Sequence, residues 1–106
     1  MNPFMRRKSK YNAIPTVING IRFASRREGA RYRELLMELA AGKISDLTLQ
    51  PAVKFPCGIR YVADFSYIKD GKLVREDVKG FKTPVFNLKM KCFKHHYPGE
   101  EILITK

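Results

Sequence analysis

The sequence of 106 residues has few acidic residues, no tryptophan and no long apolar segment. Its ten Asp and Glu residues are outnumbered by 21 Lys and Arg residues, which gives a formal net charge of +11. Such a charge predicts a polyanionic partner, and nucleic acid is the usual one, although small ribosome-associated proteins can be equally basic. No apolar run approaches the roughly 18 residues that a membrane-spanning helix needs. We therefore expect a nucleic acid as the partner and no membrane association.

The two cysteines, Cys57 and Cys92, are not a spaced pair, and no apolar signal-peptide segment precedes them. Lone thiols of this kind are typical of a reducing compartment, so we expect a cytoplasmic protein. Cys92 together with His95 and His96 would supply ligand types that zinc uses. However, adjacent histidines on one helix rarely bind the same ion, and the sequence has no second Cys or His cluster. We therefore do not expect zinc.

Periodicity and turn signals predict a basic flexible arm over residues 1–12 and one domain over residues 13–106. The domain is expected to begin with a hairpin around Asn19-Gly20, followed by a helix from Ser25 to Ala41 that Gly42 terminates. The predicted strands are Ile14–Val17, Ile21–Phe23, Leu47–Gln50, Ile59–Ile68, Lys72–Lys79 and Ile102–Thr105. A second helix begins at Thr83-Pro84. This order predicts an α/β fold with a mixed sheet.

Each predicted helix has an apolar face. In the first helix the apolar residues that recur at helical spacing are Tyr32, Leu35, Leu36 and Leu39. The second helix is expected to carry Val85, Leu88, Cys92 and Phe93 inward and Lys89, Lys91 and Lys94 outward.

Two acidic residues are predicted to meet across the last hairpin. Asp70-Gly71 favours a two-residue type I′ turn, and in that register Asp64 lies directly opposite Asp77 on one face of the sheet. Carboxylates so placed repel each other unless a divalent cation lies between them. Lys79 projects from the same face and Glu76 from the other. A three-residue loop would shift the pairing by one and separate the acids, and a solvated hairpin face would also tolerate them.

Glu28 is the third acid of the predicted site. It precedes Tyr32 by four residues and Leu35 by seven, so it falls within the apolar stripe of the first helix and points toward the sheet. Ser25-Arg26-Arg27-Glu28 also has the pattern of a capping box, in which Glu28 would bond the backbone of Ser25. Both roles stay open.

The spacing of these residues resembles that of a known nuclease superfamily. A helical Glu28, then Asp64, then Asp77-Val78-Lys79 after twelve residues, resembles the PD-(D/E)XK superfamily, with Ala63 at the variable Pro position. The α-β-β-β-α-β order resembles the restriction-endonuclease-like core of that superfamily. Nearly the whole chain after residue 10 is similar to a small phage and prophage family long called a domain of unknown function. The segments that carry this similarity are YNAIPTVINGIRFASRREGARYREL, LQPAVKF, YVADFSYIKDGKLVREDVKGFKT and FNLKMKCFK.

The resemblance implies a DNA endonuclease that depends on Mg²⁺ or Mn²⁺ and acts in the bacterial host cell of a phage. Asp64, Asp77 and the backbone carbonyl of Val78 would bind the metal. Glu28 would hold a second metal or a metal-bound water. Lys79 would orient the attacking water and stabilise the developing charge. The products would carry a 5′-phosphate and a 3′-hydroxyl.

Other basic residues are expected to bind DNA phosphates. They are Arg6, Arg7 and Lys8 in the arm, Arg26 and Arg27 in the first helix, and Lys82 and Lys89 near the second helix. Gln50 is a further candidate for the site. The expected endonuclease is structure-selective or otherwise indifferent to sequence, and a Holliday-junction resolvase is one such enzyme. Cleavage of branched DNA in pairs would require a symmetric homodimer. The alternative functions are a non-catalytic DNA-binding or anti-defence protein on a nuclease fold, and a nuclease that acts on RNA.

Overall fold

The structure is a computed structural model that describes residues 15–79 and 82–106. The described part of the chain begins with a short hairpin. In it β1 (Thr16–Ile18) pairs antiparallel with β2 (Ile21–Phe23). Asn19 and Gly20 have φ values of 54° and 78°, as a type I′ turn requires. The predicted hairpin is confirmed with slightly shifted bounds. The predicted arm of residues 1–12, together with Ile14, lies outside the described residues.

The first helix, α1 (Arg26–Ala40), has the two predicted caps. The Ser25 hydroxyl accepts a hydrogen bond of 3.1 Å from the N–H of Glu28. At the other end the N–H groups of Gly42 and Lys43 bond carbonyls of the last turn, with Gly42 at a φ of 76°. This arrangement is the Schellman motif, in which glycine accepts the left-handed conformation without strain.

One face of α1 packs on the sheet and on the hairpin. Tyr32 and Leu35 are buried as predicted, whereas Leu39 is 38% exposed, so the apolar face ends earlier than expected. Near the start of the helix Gly29 is buried, and a Cβ added there would lie 2.6 Å from Cγ2 of Thr16. The absence of a side chain therefore lets the hairpin lie directly against the helix.

The middle of the chain differs from the prediction. The single predicted strand Ile59–Ile68 is wrong, because the chain forms two strands, β5 (Arg60–Val62) and β6 (Phe65–Lys69). Before them, β3 (Ser45–Leu49) ends earlier than the predicted Gln50, and an unpredicted strand, β4 (Ala52–Lys54), pairs with β5 as a separate ribbon. The break has a physical cause: β5 pairs with β4, while β6 pairs with β3.

A mixed sheet forms the centre of the fold. Its strand order is β3-β6, then β7 (Lys72–Val78), then β8 (Ile102–Thr105). The first three strands are antiparallel, and β8 runs parallel to β7 after a crossover through the second helix, α2 (Pro84–His96). The Asp70-Gly71 turn pairs Lys69 with Lys72 and continues to Phe65 with Glu76, as predicted. The prediction of an α/β fold with a mixed sheet is confirmed.

The buried face of α2 differs from the predicted one. Phe86 and Phe93, two helical turns apart, are buried. Val85 and Leu88, which were expected to point inward, are 62% and 54% exposed, and Lys89, expected outward, is half-buried. The reason is that the two phenyl rings occupy the contact with the β4–β5 ribbon, and this contact fixes the rotation of the helix.

Two apolar clusters lie on opposite faces of the sheet. The cluster beneath α1 contains Ile18, Phe23, Tyr32, Leu35, Ile44, Phe65 and Tyr67. The cluster beneath α2 contains Val53, Phe55, Tyr61, Ala63, Phe86 and Phe93. Neither described helix is long and apolar enough to cross a membrane.

Candidate active site

Asp64 lies where the chain passes from the β4–β5 ribbon into the sheet. Phe65 pairs with Glu76, and the N–H of Asp64 donates to the carbonyl of the same Glu76 at 3.1 Å. Two residues opposite one is the arrangement of a β-bulge, which redirects the side chain at that point. The prediction that Asp64 would lie directly opposite Asp77 in a regular ladder is therefore wrong, because the regular pairing ends at Phe65.

The bulge nevertheless brings the two carboxyl groups together. The Asp64 carboxylate accepts a hydrogen bond of 2.7 Å from the N–H of Val78 and lies close enough to the carboxyl group of Asp77 for each to shift the pKa of the other. Asp77 is 1% exposed and also accepts a hydrogen bond from the hydroxyl of Tyr61.

The surroundings of this pair favour the protonated form. Burial is the main cause that raises the pKa of Asp64 to about 6, and Glu28 adds to it. Burial and the neighbouring Asp64 carboxyl raise the pKa of Asp77 to about 7. Two neighbouring carboxylates cannot both ionise without cost, and a retained proton or a bound cation would lower that cost.

Glu28 approaches the pair from the first turn of α1. Burial, reinforced by the charge of Asp77, raises the pKa of its carboxyl group, while the interaction with Asp64 lowers it in part. The Ser25 hydroxyl accepts the N–H of Glu28, but within residues 15–79 and 82–106 no return bond to the N–H of Ser25 completes a capping box. The side chain of Glu28 is instead directed toward the acidic pair.

Lys79 supplies the positive charge of the cluster. Its Nζ lies 4.0 Å from Oδ1 of Asp77 and 4.9 Å from the ring centroid of Phe86. Its backbone N–H donates to the carbonyl of Thr105 at 2.8 Å, which fixes the residue at the end of β7. The side chain is 34% exposed, so solvent and ligands can reach the ammonium group. The structure thus places Lys79 beside Asp77, and its charge also lowers the pKa of Glu28.

Glu76, the residue before Asp77, is a buried acid of a different kind. Its carboxylate is fully buried and accepts hydrogen bonds from Arg31, from the Tyr67 hydroxyl at 2.6 Å and from the Thr105 hydroxyl at 2.9 Å. Burial alone would raise its pKa, but these hydrogen bonds outweigh burial and lower it. Glu76 is therefore satisfied within the fold and joins α1 to β7.

The sequence-based prediction did not include Tyr61 or Arg31. A signal for Arg31 was available, because a buried Glu76 requires a cation and Arg31 is a basic residue one turn after Glu28 on the sheet-facing side of the helix. Tyr61 could not be placed beside Asp77 without the break at Asp64.

The oxygen donors of the cluster suit a hard divalent cation. In the described part of the chain no three His, Cys, Asp or Glu side chains form a complete ligand set. Mg²⁺ does not require one, since one or two carboxylates usually hold it together with waters and substrate phosphates. Asp64 and Asp77 provide such a pair, and Glu28 lies near enough to interact with Asp64. The chemistry of the donors therefore fits Mg²⁺ or Mn²⁺.

The residues expected to bind phosphate lie at several places. Arg26 is exposed in the first turn of α1, and the Nε of Arg27 donates to the carbonyl of Lys106. Lys82 is exposed just before α2. Lys89 is half-buried within that helix. The remaining predicted positions, outside the described residues, are Arg6, Arg7 and Lys8.

Comparison with known proteins identifies a family. No curated protein and no solved structure matches the chain. One family model, described as "Protein of unknown function (DUF1064)", matches residues 8–106, and the chain therefore belongs to that family.

Proposed function

We propose that this protein is a metal-dependent endonuclease that hydrolyses phosphodiester bonds in DNA. One observation carries the proposal: the half-buried Asp64 and the buried Asp77 bring two carboxyl groups together, with Glu28 and Lys79 close by. Such a pair is unfavourable as a purely structural feature, and a divalent cation would make it favourable. A net charge of +11 agrees with a polyanionic substrate.

The order of elements adds support. Apart from the β4–β5 ribbon, the elements that follow the hairpin are α1, β3, β6, β7, α2 and β8. This agrees with the α-β-β-β-α-β order of the restriction-endonuclease-like core that the sequence resembles. In that arrangement the acids belong to the second and third strands and to the first helix. Here Asp77 lies in β7 and Glu28 in α1, while Asp64 immediately precedes β6.

Asp64 and Asp77, with the carbonyl of Val78, would hold the metal. When bound, the ion would polarise the scissile phosphate and favour deprotonation of the attacking water. The N–H of Val78 fixes the Asp64 carboxylate and the Tyr61 hydroxyl fixes that of Asp77, so both groups are oriented before substrate arrives.

The other two residues act on the nucleophile and on the developing charge. Glu28 accepts a hydrogen bond from the attacking water and orients it toward phosphorus. Lys79, at the solvent-accessible rim, places its ammonium group near the scissile phosphate and stabilises the charge of the transition state.

Incubation with labelled linear duplex, four-way junction, flap and single strand tests the proposal, with Mg²⁺, Mn²⁺ or EDTA in parallel. We expect cleavage with either metal and none with EDTA. Asp64→Asn and Asp77→Asn should fold and should not cleave. Asp46→Asn, which changes an exposed acid of β3, is the matched control and should cleave like the wild type. If the wild type cuts none of the four substrates with either metal, the protein is a non-catalytic DNA-binding protein instead.

A further inference from the structure

The β4–β5 ribbon has two chemically different faces. One face is apolar and packs on α2 through Val53, Phe55, Tyr61 and Ala63. The alternate residues form a solvent face and are Ala52, Lys54, Arg60 and Val62. This period of two is that of a strand pair with one buried side. The ribbon therefore presents a small basic surface to solvent, while its other face packs against α2.

Lys54 and Arg60 are direct cross-strand partners on the solvent face. Side chains at facing positions are close neighbours, and like charges at such positions destabilise a strand pair. Among the described residues no acidic side chain forms an ion pair with either of them. The fold gains nothing from this pair, whereas an external anion bound between the two side chains would remove the repulsion.

Aromatic contacts fix the ribbon to the second helix. The ring of Tyr61 lies 6.4 Å from the rings of Phe86 and Phe93, and the ring of Phe55 lies 5.7 Å from that of His96. The backbone that carries the two cations is held in this way and loses little freedom when a ligand binds, and this favours affinity.

The ribbon also leads directly into the candidate active site. Only Ala63 separates β5 from Asp64, and Arg60 precedes Asp64 by four residues. Four residues span at most about 13 Å, which corresponds to at most about four base-pair steps of B-DNA. A two-stranded ribbon is also one of the two elements that fit the major groove of B-DNA.

We propose that Lys54 and Arg60 bind backbone phosphates of duplex DNA beside the cleavage site. The inference rests on the proposed function for the identity of the DNA as substrate, but binding can be measured without cleavage. It adds a substrate-binding surface that the charge pattern of the sequence did not reveal, because Lys54 and Arg60 become neighbours only when β4 and β5 pair.

The test compares two double variants in EDTA. Lys54→Ala with Arg60→Ala removes the ribbon pair. Lys69→Ala with Lys72→Ala removes the same charge from another cross-strand pair, at the far end of the β6–β7 hairpin, where Lys69 already pairs with Glu38 at 3.6 Å. Affinity for a short fluorescent duplex is measured by anisotropy over a range of salt concentrations. We expect the ribbon variant to bind at least about tenfold more weakly near 0.1 M salt and to reduce the slope of log affinity against log salt by up to about 1.8. The control should change affinity by less than about threefold.

A charge-conserving variant and a second polymer complete the design. Lys54→Arg with Arg60→Lys should bind duplex nearly as well as the wild type, and thermal melting should show that every variant is folded. Equal losses in both double variants would overturn the inference, as would wild-type affinity in the ribbon variant. A ribbon variant that loses affinity only for RNA would assign the surface to RNA and overturn the DNA assignment.

The failure of this inference is distinguishable from that of the proposed function. If the wild type binds DNA but never cuts it, the endonuclease proposal is refuted. A selective loss of DNA binding in the ribbon variant would still support the DNA-binding role of Lys54 and Arg60. If the wild type cuts DNA and the ribbon variant binds DNA normally, the DNA-binding role of Lys54 and Arg60 is refuted and the endonuclease proposal stands.

Discussion

Glu76 and Asp77 are adjacent in β7, are at most 1% exposed, and project from opposite faces of the sheet into opposite electrostatic surroundings. Glu76 meets the guanidinium of Arg31, and its pKa lies below the usual range. Asp77 meets the carboxyl of Asp64, and its pKa rises to about 7. One acid is thus neutralised by a cation of the fold, and the other remains available to a cation from outside.

The first prediction concerns the Arg31–Glu76 pair. Arg31→Ala leaves Glu76 buried without its cation, and breaking a buried pair in this way typically lowers the free energy of unfolding by about 3–5 kcal/mol. Urea unfolding at neutral pH measures the loss. Glu34→Ala is the control, because it removes an ion pair of the same arginine at a side chain that is 49% exposed, and should cost less than about 1 kcal/mol. Similar losses in both variants would contradict the assigned role of Glu76.

The second prediction is a pH dependence of the metal-free protein. The pKa of Asp64 is raised to about 6 and that of Asp77 to about 7 in the folded state, so between roughly pH 4 and pH 7 the folded chain holds protons that the unfolded chain releases. The contribution of the pair is therefore fully present below about pH 4 and is lost as pH rises through these values. Urea unfolding in EDTA should show wild-type stability falling relative to Asp64→Asn with Asp77→Asn over this range. A constant difference between the two proteins would contradict the raised pKa values.

Local signals in the sequence predicted much of the fold. Asn19-Gly20 and Asp70-Gly71 require positive φ, which few other residue pairs accept easily, so both turns and the register next to Asp70-Gly71 followed from chemistry alone. Ser25 and Gly42 likewise predicted the ends of α1, because the Ser25 hydroxyl caps the first turn and Gly42 adopts the positive φ that ends the helix. These features depend on a few neighbouring residues and not on the rest of the molecule.

Features that depend on tertiary partners could not be predicted in this way. The segment from Ile59 to Ile68 contains no Gly, Pro or Asn that would indicate a turn. It divides at Asp64 because its first half pairs with β4 and its second half pairs with β3. The rotation of α2 is decided by the volumes of Phe86 and Phe93 against the ribbon. The carboxyl cluster was predicted from residue types and register, yet Asp64 reaches Asp77 through a bulge rather than a regular pair.

The third prediction concerns metal binding. Mg²⁺ or Mn²⁺ should raise the melting temperature, because it binds the folded acid cluster and not the unfolded chain. The shift should be larger near pH 8 than near pH 5.5, since metal and protons compete for the Asp64–Asp77 pair. Differential scanning fluorimetry with a metal series at both pH values measures it. Asp64→Asn should abolish the shift and Asp46→Asn should retain it. An unchanged shift in Asp64→Asn would remove Asp64 from the metal site.

The last prediction separates catalysis from binding at Lys79. This residue is one of 21 Lys and Arg residues, so its removal changes the long-range field of the protein very little. Beside Asp77, however, its charge acts where a bound phosphate would develop additional negative charge, and the loss of one such contact typically slows a reaction by about 10²–10³. Lys79→Ala should therefore bind DNA within a few-fold of the wild type and cleave at least about a hundred times more slowly in single-turnover assays at saturating protein.

Lys89→Ala is the matched control for Lys79→Ala, because both lysines are half-buried while only Lys79 lies beside the acids. A lysine that only binds phosphate should lose affinity and keep most of its turnover at saturation. Because both variants remove one cation, a difference in cleavage rate between them cannot be explained by the loss of net charge. If Lys79→Ala binds DNA more weakly but cleaves normally once saturated, the Lys79 ammonium group contributes only to DNA binding, and the catalytic assignment is wrong.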